Sequence, residues 1–539
     1  MLKHHYARLF SQANLERYTL FFFIVTVVGM PISSFLMSLG SVGLAVLWLI
    51  SGNWNYKIDN IKQNKTILPL IGIALITIVW VLFTDDYKAA LREIKNDAMI
   101  IPFVLAVASI KITSRQVYII LNAFVIATIV SSLISLAVYF GIYTPIKQEV
   151  LNIRNISIFI SHIRLGLMCV LSVVIIAFQL YRNFTQTKIW KRIVLILCAL
   201  WLIYFVFLLQ TATSWFVLFA LFVATMIFYR KQFPQWLTIS GLSLALLIVV
   251  VVITLFTKVY TDFYTIKDNN KTLPQTTSLG NKYYHDTTLN LLENGYYVHR
   301  YICQEELKST WDSISLQPYN GYNKYGNSTK WTLIRFLTSK GYTKDREGVL
   351  KLTAGEIIAV EQGCASCIYL SSSNIYKRFY ESIWEVDRYI KLNNPNNKSL
   401  CMRIEFMKAA VHIIKNNFWF GIGTGDIKAV SEKTYEELNS PLEDRYRKVY
   451  VHNQFIFHFA SYGLVGFLIF MCCLFFPFVS LKHRHYIMVQ YFILIIMSML
   501  NENTLGTQAG MLLFIVPYTL LYCLSKQEED LSDSLNRPF

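Results

Sequence analysis

His452 and Asn453 stand together at the start of an apolar run, 453–480, and Arg403 lies upstream of them in the same polar stretch. Between them GIGTGD at 421–426 puts glycine at alternate positions, Gly421, Gly423 and Gly425. Histidine takes a proton from a hydroxyl near neutral pH when its neutral form is populated. A permanently charged, forked arginine suits a diphosphate leaving group. Glycine lets backbone amides form an anion-holding nest, or lets two chains approach closely. The bland alternatives are a histidine that only caps the span, an arginine pairing with Glu405 or another acid, and a tight turn that redirects the chain. GIGTGD is not a dinucleotide fingerprint, because the GxGxxG spacing and the parallel-sheet unit around it are both missing. His458 lies six residues after His452, a poor spacing for a helical metal pair.

A second constellation lies in ISIFISHIRLGL at 156–167. Arg164 there falls two to three turns inside an apolar run, where insertion scales put an arginine at about 2.5–3.5 kcal/mol. Such a residue is a functional candidate by default, and His162 is its companion. NENTLGTQAG at 501–510 adds Glu502, a carboxylate placed to pair with an arginine.

These residues need a membrane frame. Of 539 residues, 54% are hydrophobic and 15% charged, well below the roughly 25% charged in ordinary soluble chains. Apolar runs predict about twelve transmembrane helices, near 18–31, 34–51, 67–84, 97–110, 116–141, 155–180, 191–209, 212–229, 236–257, 453–480, 486–501 and 508–524. The expected architecture is an all-α polytopic membrane protein: an N-terminal bundle of about nine spans (1–257), a large insertion (258–452), a C-terminal bundle of about three spans (453–525) and a tail (526–539). Basic residues collect after alternate spans, at Lys57, Lys62, Lys65, Lys111, Arg115, Arg182, Lys188, Lys191, Arg192, Arg230, Lys231 and the LKHRH of 481–485. The opposing loops at 31–33, 85–96, 142–154, 210–211 and 502–507 are poorer in net positive charge. The positive-inside rule then places both termini in the cytoplasm and the insertion on the outer side. The net charge of +17 is thereby partly a topology signal and not evidence for nucleic acid. The first apolar run leads straight into another without a small-residue cleavage site, so it reads as a retained span.

Apolar and aromatic residues continue through 258–452, which predicts a folded, mainly helical module. Helices are expected at 304–315, 330–340, 375–391 and 400–416, the last ending at Asn416 and Asn417. Cys303, Cys364, Cys367 and Cys401 fall in the insertion. They are consistent with two disulfides in an oxidising compartment or with free thiols; CASC at 364–367 lacks the second ligand pair of a structural zinc site.

The order and spacing of Arg403, Gly421, Gly423, Gly425, His452, Asn453, Gly463 and Gly466 resemble the signature region of the O-antigen ligase and polymerase superfamily. SHIR at 161–164 and NENTLGTQAG look like the equivalent stretches of Bacteroidetes-type ligase-like proteins. The resemblance implies an inner-membrane glycosyltransferase with its active site facing the periplasm. It would move a glycan from undecaprenyl diphosphate to an acceptor hydroxyl, such as one on lipid A core. His452 would act as base, Arg403 would be catalytic and share the diphosphate with Arg164, Gly421, Gly423 and Gly425, and His162, Asn453 and Glu502 would support them. An O-antigen polymerase or protein O-oligosaccharyltransferase shares the donor chemistry. A lipid-linked glycan transporter is the more distant reading, disfavoured because the polar mass is concentrated outside the spans. MPISS at 30–34 lacks the carboxylate that many polyprenyl-dependent glycosyltransferases carry in their first outer loop, and only Asp85–Asp86 approaches an acidic pair. The expectation is therefore no metal and no cofactor, with arginines stabilising charge.

Overall fold

The computed structural model describes residues 11–142, 156–182, 185, 187–268, 273–323, 326–482 and 484–535. In chain order its first helices are α1 (Gln12–Ile32), α2 (Ser34–Ile50), α3 (Trp54–Gln63), α4 (Ile71–Val79, flanked by 3-10 turns Lys65–Leu70 and Trp80–Phe83), α5 (Tyr87–Asp97) and α6 (Ile100–Ser109). Then follow α7 (Ser114–Tyr139), α8 (His162–Arg182), α9 (Ile189–Leu208), α10 (Ala212–Phe228) and α11 (Gln235–Tyr264). After an irregular stretch come α12 (Gln304–Ile314), α13 (Thr329–Ser339), α14 (Arg346–Leu350), α15 (Ala354–Glu361), α16 (Ile368–Ser371), α17 (Asn374–Leu392) and α18 (Ser399–Asn416). The chain closes with α19 (Ile427–Glu437), α20 (Asp444–Arg447), α21 (Gln454–Ser480), α22 (Tyr486–Asn501) and α23 (Gln508–Leu535). The four helices expected in the insertion thus form within one or two residues of their expected bounds.

Eight of these helices are long and apolar enough to cross a membrane, or nine if the bent pair α2–α3 is one broken span. Twelve are expected from the apolar runs, and the difference lies in short elements. The expected spans at 34–51, 97–110, 212–229 and 486–501 fold as α2, α6, α10 and α22, of 17, 10, 17 and 16 residues. At about 1.5 Å per residue each falls short of a roughly 30 Å hydrocarbon core. From residue 143 the expected loop at 142–154 lies outside the described residues. So do residues 1–10 and 536–539, on which the placement of the termini rests. Residues 526–535, expected as tail, continue α23, and Glu528 ties them to Arg182 at 2.7 Å and to His485 at 3.2 Å.

The chain divides into two compact units: Met1–Leu242 with Phe406–Asn439 and Arg447–Phe539, and Ser243–Glu405 with Ser440–Tyr446. The boundaries differ from the expected 258–452 insertion, because 406–439 and 447–452 pack as part of the first unit. There α8 and α23 form the centre, with 72% and 83% of their apolar windows buried, against 17% for α9.

In the first unit the glycine loop 421–425 is held by close backbone approach. An added Cβ would stand 2.4 Å from the Ser461 carbonyl at Gly421, 2.5 Å from the Phe83 carbonyl at Gly423 and 2.5 Å from the Ala90 amide at Gly425. Gly463 N lies 2.5 Å from the same Cβ position at Gly421, and its φ of 63° and ψ of −170° break the helical path inside α21. Asp426 then accepts the amides of Asp85 and Asp86, both at 2.8 Å, and fixes the entry to α5.

The second unit is a small helical body with one short hairpin, in which Leu292–Glu293 pairs with Tyr296–Tyr297. Asn294 and Gly295 turn it with positive φ, 51° and 83°, the pattern that matches strand twist in a two-residue hairpin. Glu293 is fully buried and satisfied by Arg335 Nε at 2.9 Å, Tyr380 Oη at 2.8 Å and Trp384 Nε1 at 3.1 Å. All nine cysteines are free thiols. Cys364 and Cys367 Sγ contact the carbonyls of Ser366 and Ser339, at 3.3 and 3.4 Å.

Gly425→Ala is expected to lower the melting temperature in detergent by several degrees, since its φ of 97° costs a side-chain-bearing residue about 1–2 kcal/mol before the clash with Ala90. Gly355→Ala, where nothing lies within 4 Å of the added Cβ, should leave stability unchanged or slightly higher. Equal melting temperatures for the two variants would contradict the close-approach account.

Candidate functional site

The loop joining α22 to α23 organises the polar groups of the first unit. Glu502 places Oε2 at 3.8 Å from His452 Nδ1. The next residue, Asn503, accepts a hydrogen bond on its carbonyl from Arg164 Nη2 at 3.0 Å. Two consecutive residues therefore reach the histidine and the arginine that the sequence singles out; because α8 begins at His162, Arg164 stands in its first turn and not two to three turns inside a span as the apolar run 155–180 leads one to expect. The loop is braced from three sides. Ser498 and Thr504 share a 2.7 Å hydroxyl contact, the Leu505 amide donates to Gln454 Oε1 at 2.7 Å, and Asn96 Nδ2 donates to the Leu505 carbonyl at 2.5 Å.

Arg164 is buried, the Glu502 carboxylate lies within electrostatic reach of it, and among the described residues its Nη1 has no hydrogen-bond partner. A buried guanidinium with a spare donor is costly unless an anion or polar group meets it. His162 opens α8 and is half-buried. His452 is 38% exposed at its side chain, with the Phe406 ring 5.8 Å away. A half-exposed imidazole next to a carboxylate can accept a proton and be stabilised once charged.

Asn453 has a definite structural role. Its Oδ1 accepts the amides of Phe455 and Ile456, at 3.0 and 3.1 Å, capping α21, while Nδ2 donates to the Leu500 carbonyl at 2.7 Å. The cap fixes the residue before it, His452, relative to the end of α22. Gln454 and His458 share a buried contact of 3.0 Å inside α21.

Two of the three loop-glycine amides donate to protein carbonyls. Gly421 N donates to the Asn417 carbonyl at 3.0 Å, Ile422 N to Ala460 at 3.2 Å and Gly423 N to Ser461 at 2.9 Å. The backbone thus spends these donors on protein carbonyls, as a turn that redirects and packs the chain does at Gly421 and Gly423. Gly425 instead approaches the Ala90 amide of α5, where an added Cβ would stand 2.5 Å from it.

Two acids on α5 escaped the sequence reading. Asp97 is buried and accepts from Thr77 Oγ1 at 2.5 Å, and Thr77 in turn lies 3.2 Å from the Tyr462 hydroxyl. Glu93, one turn earlier, is half-buried, and burial pushes its carboxyl up while neighbouring Arg92 opposes the shift. Burial and then the Glu93 charge push the Tyr450 phenol up, which puts Glu93 within electrostatic reach of the segment leading into His452. Acids four apart on a strongly amphipathic helix were the signal available.

Arg403 belongs to the second unit, on the first turns of α18. The Glu405 carboxylate is engaged by Ser440 Oγ at 2.6 Å and by the Tyr389 hydroxyl. Among the described residues no group of three or more His, Cys, Asp or Glu is placed to hold a metal.

Asn453→Ala should lower stability by about 0.5–2 kcal/mol, the usual range for a lost helix cap. Asn453→Asp keeps the accepting oxygen but loses the donor to Leu500, so it should recover most of that stability. Identical losses in thermal denaturation would show that the cap is not what holds this junction.

Residues 363–471, about a fifth of the chain, match the model of a family described as O-antigen ligase. The matched stretch contains Arg403, the three loop glycines, His452 and Asn453, whereas Arg164, His162 and Glu502 lie outside it. No curated protein matches the chain.

Proposed function

Since this match supports placing the chain in the O-antigen ligase-like superfamily, we propose that it is a polytopic inner-membrane glycosyltransferase that moves a glycan from undecaprenyl diphosphate to an acceptor hydroxyl, the ligase reaction on lipid A core. Both termini are cytoplasmic in this reading, and the transfer site faces the periplasm. The observation that carries it is the 502–503 dipeptide, which reaches His452 with one residue and Arg164 with the next. A proton acceptor and a desolvated, permanently charged donor group are thereby brought to one loop.

The acceptor oxygen attacks the anomeric carbon as the bond from that carbon to the diphosphate oxygen breaks. The acceptor's proton passes to His452, and Glu502 stabilises the imidazolium. Polyprenyl diphosphate leaves with its charge held by Arg164, whose Nη1 is the spare buried donor. A water-poor setting strengthens that interaction. Arg403 is assigned to the same leaving group on its residue type and on its place in the matched stretch. Asn453 holds His452 in place. Because the donor sugar is already activated, no nucleotide is consumed, and the arginines supply the charge stabilisation that a cation gives elsewhere.

Arg164→Ala and Arg403→Ala should weaken binding of a polyprenyl-diphosphate glycan, and lysine should rescue either poorly because a point charge lacks the bidentate fork. His452→Ala should leave donor affinity close to wild type while turnover falls by roughly 10²–10⁴-fold, the usual cost of a lost general base. Wild-type turnover in His452→Ala removes it from catalysis; unchanged donor affinity in both arginine variants removes the diphosphate assignment.

Transfer by the purified protein should also survive excess chelator. Loss of activity on chelation, restored by magnesium or manganese, would overturn the arginine-only account of charge stabilisation.

A further inference from the structure

One face of α2 is apolar and open along its length. Phe35, Leu39, Val42, Val46 and Ile50 recur at helical spacing and are between 46% and 70% exposed, a strip of roughly 22 Å at the α-helical rise. Phe22 of α1 forms the wall beside it. The Phe22 ring lies directly over Gly43, where an added Cβ would stand 2.1 Å from it, so the glycine lets the wall close in. Together they line a groove of about 510 Å³.

The groove has one polar edge, and that edge is tied to the candidate site. Ser38 Oγ, which lines the groove, accepts from Gln508 Nε2 at 2.9 Å. Gln508 opens α23 directly after the loop that carries Glu502 and Asn503. From Ser38 the strip then runs away from that loop, along α2 to Ile50. We propose that this groove seats the polyprenyl tail of the donor, an assignment that rests on the glycosyl-transfer reading. A lipid whose diphosphate is gripped at the Arg164 loop must lay its chain from there into an apolar surface, and this groove begins at that loop. An acyl chain of a bulk phospholipid has the same apolar character but no headgroup contact that selects it, which makes it the competing outcome.

Tryptophan at both Val42 and Val46 fills the groove without entering the core, since the two side chains are 61% and 47% exposed. With a long-chain polyprenyl-diphosphate glycan the double variant should show KM raised at least about tenfold, the lower end for a misfit in a hydrophobic pocket. With a short, water-soluble prenyl-diphosphate glycan its KM should equal wild type. Ile126→Trp, on the outward face of α7 and 62% exposed, should change neither. An equal effect on both donors, or none on the long one, overturns the groove assignment. If wild-type protein transfers glycan from neither donor, the enzymatic reading fails, and the groove is judged by photolabelling. A diazirine-bearing polyprenyl diphosphate should then label residues 35–50 and be displaced by polyprenyl diphosphate but not by phosphatidylethanolamine vesicles. Displacement by the vesicles alone, or labelling spread over other helices, marks bulk lipid and overturns the assignment.

Discussion

The arrangement depends on a backbone contact that only glycine permits. Gly421 meets the Ser461–Gly463 segment of α21, and the same loop meets Phe83 and Ala90, leaving no room for a Cβ at any of the three positions. Gly463 breaks the helical path where the loop arrives, and the loop amides satisfy carbonyls freed or exposed there. The contact keeps the first turns of α21, the end of α4 and the start of α5 together. On that frame stand Asn453, which caps α21, and His452 before it. Glycine is thus a packing requirement here, and its influence on chemistry is exerted through the placement of its neighbours.

Several buried polar groups of the first unit meet a specific partner, as with Asp97 and Thr77 or Gln454 and Leu505, whereas the buried Gln490 amide has no hydrogen-bond partner among the described residues. Arg164 is the charged case: Nη2 donates to the Asn503 carbonyl, the Glu502 carboxylate lies within electrostatic reach, and Nη1 has no hydrogen-bond partner among the described residues. Burial penalises a guanidinium that is left partly unpaired, and retention of the residue is understandable if an anion completes it. The second unit offers the contrast: Glu293 is more deeply buried than Arg164, yet it meets donors from a tyrosine, a tryptophan and an arginine.

Much of this was legible in the residues. The apolar runs locate the helices, and turn residues locate the four helices around 304–416, because periodicity and caps are local properties. Arg164 stands out through its cost in an apolar run, and His452 through its place at the mouth of one. The number of helices able to cross is less legible, since runs such as 486–501 are apolar but too short, and composition alone does not set where a helix stops. The alternate glycines could not reveal whether their amides face an anion or a carbonyl, which depends on chain segments far away in sequence. Glu93 and Asp97 were passed over for a similar reason: their partners Tyr450, Thr77 and Tyr462 come from distant segments. The boundary of the second unit at Glu405 falls inside the continuous helix α18, where no shift of composition marks it.

The central claim is glycosyl transfer from a polyprenyl-diphosphate donor, and mass spectrometry of the products tests it most directly. Purified protein would be incubated with undecaprenyl-diphosphate-linked glycan and a lipid A core acceptor. The account predicts an acceptor heavier by one glycan, appearing in step with free undecaprenyl diphosphate. Donor recovered intact, or moved across a vesicle membrane with its glycan still attached, would contradict it.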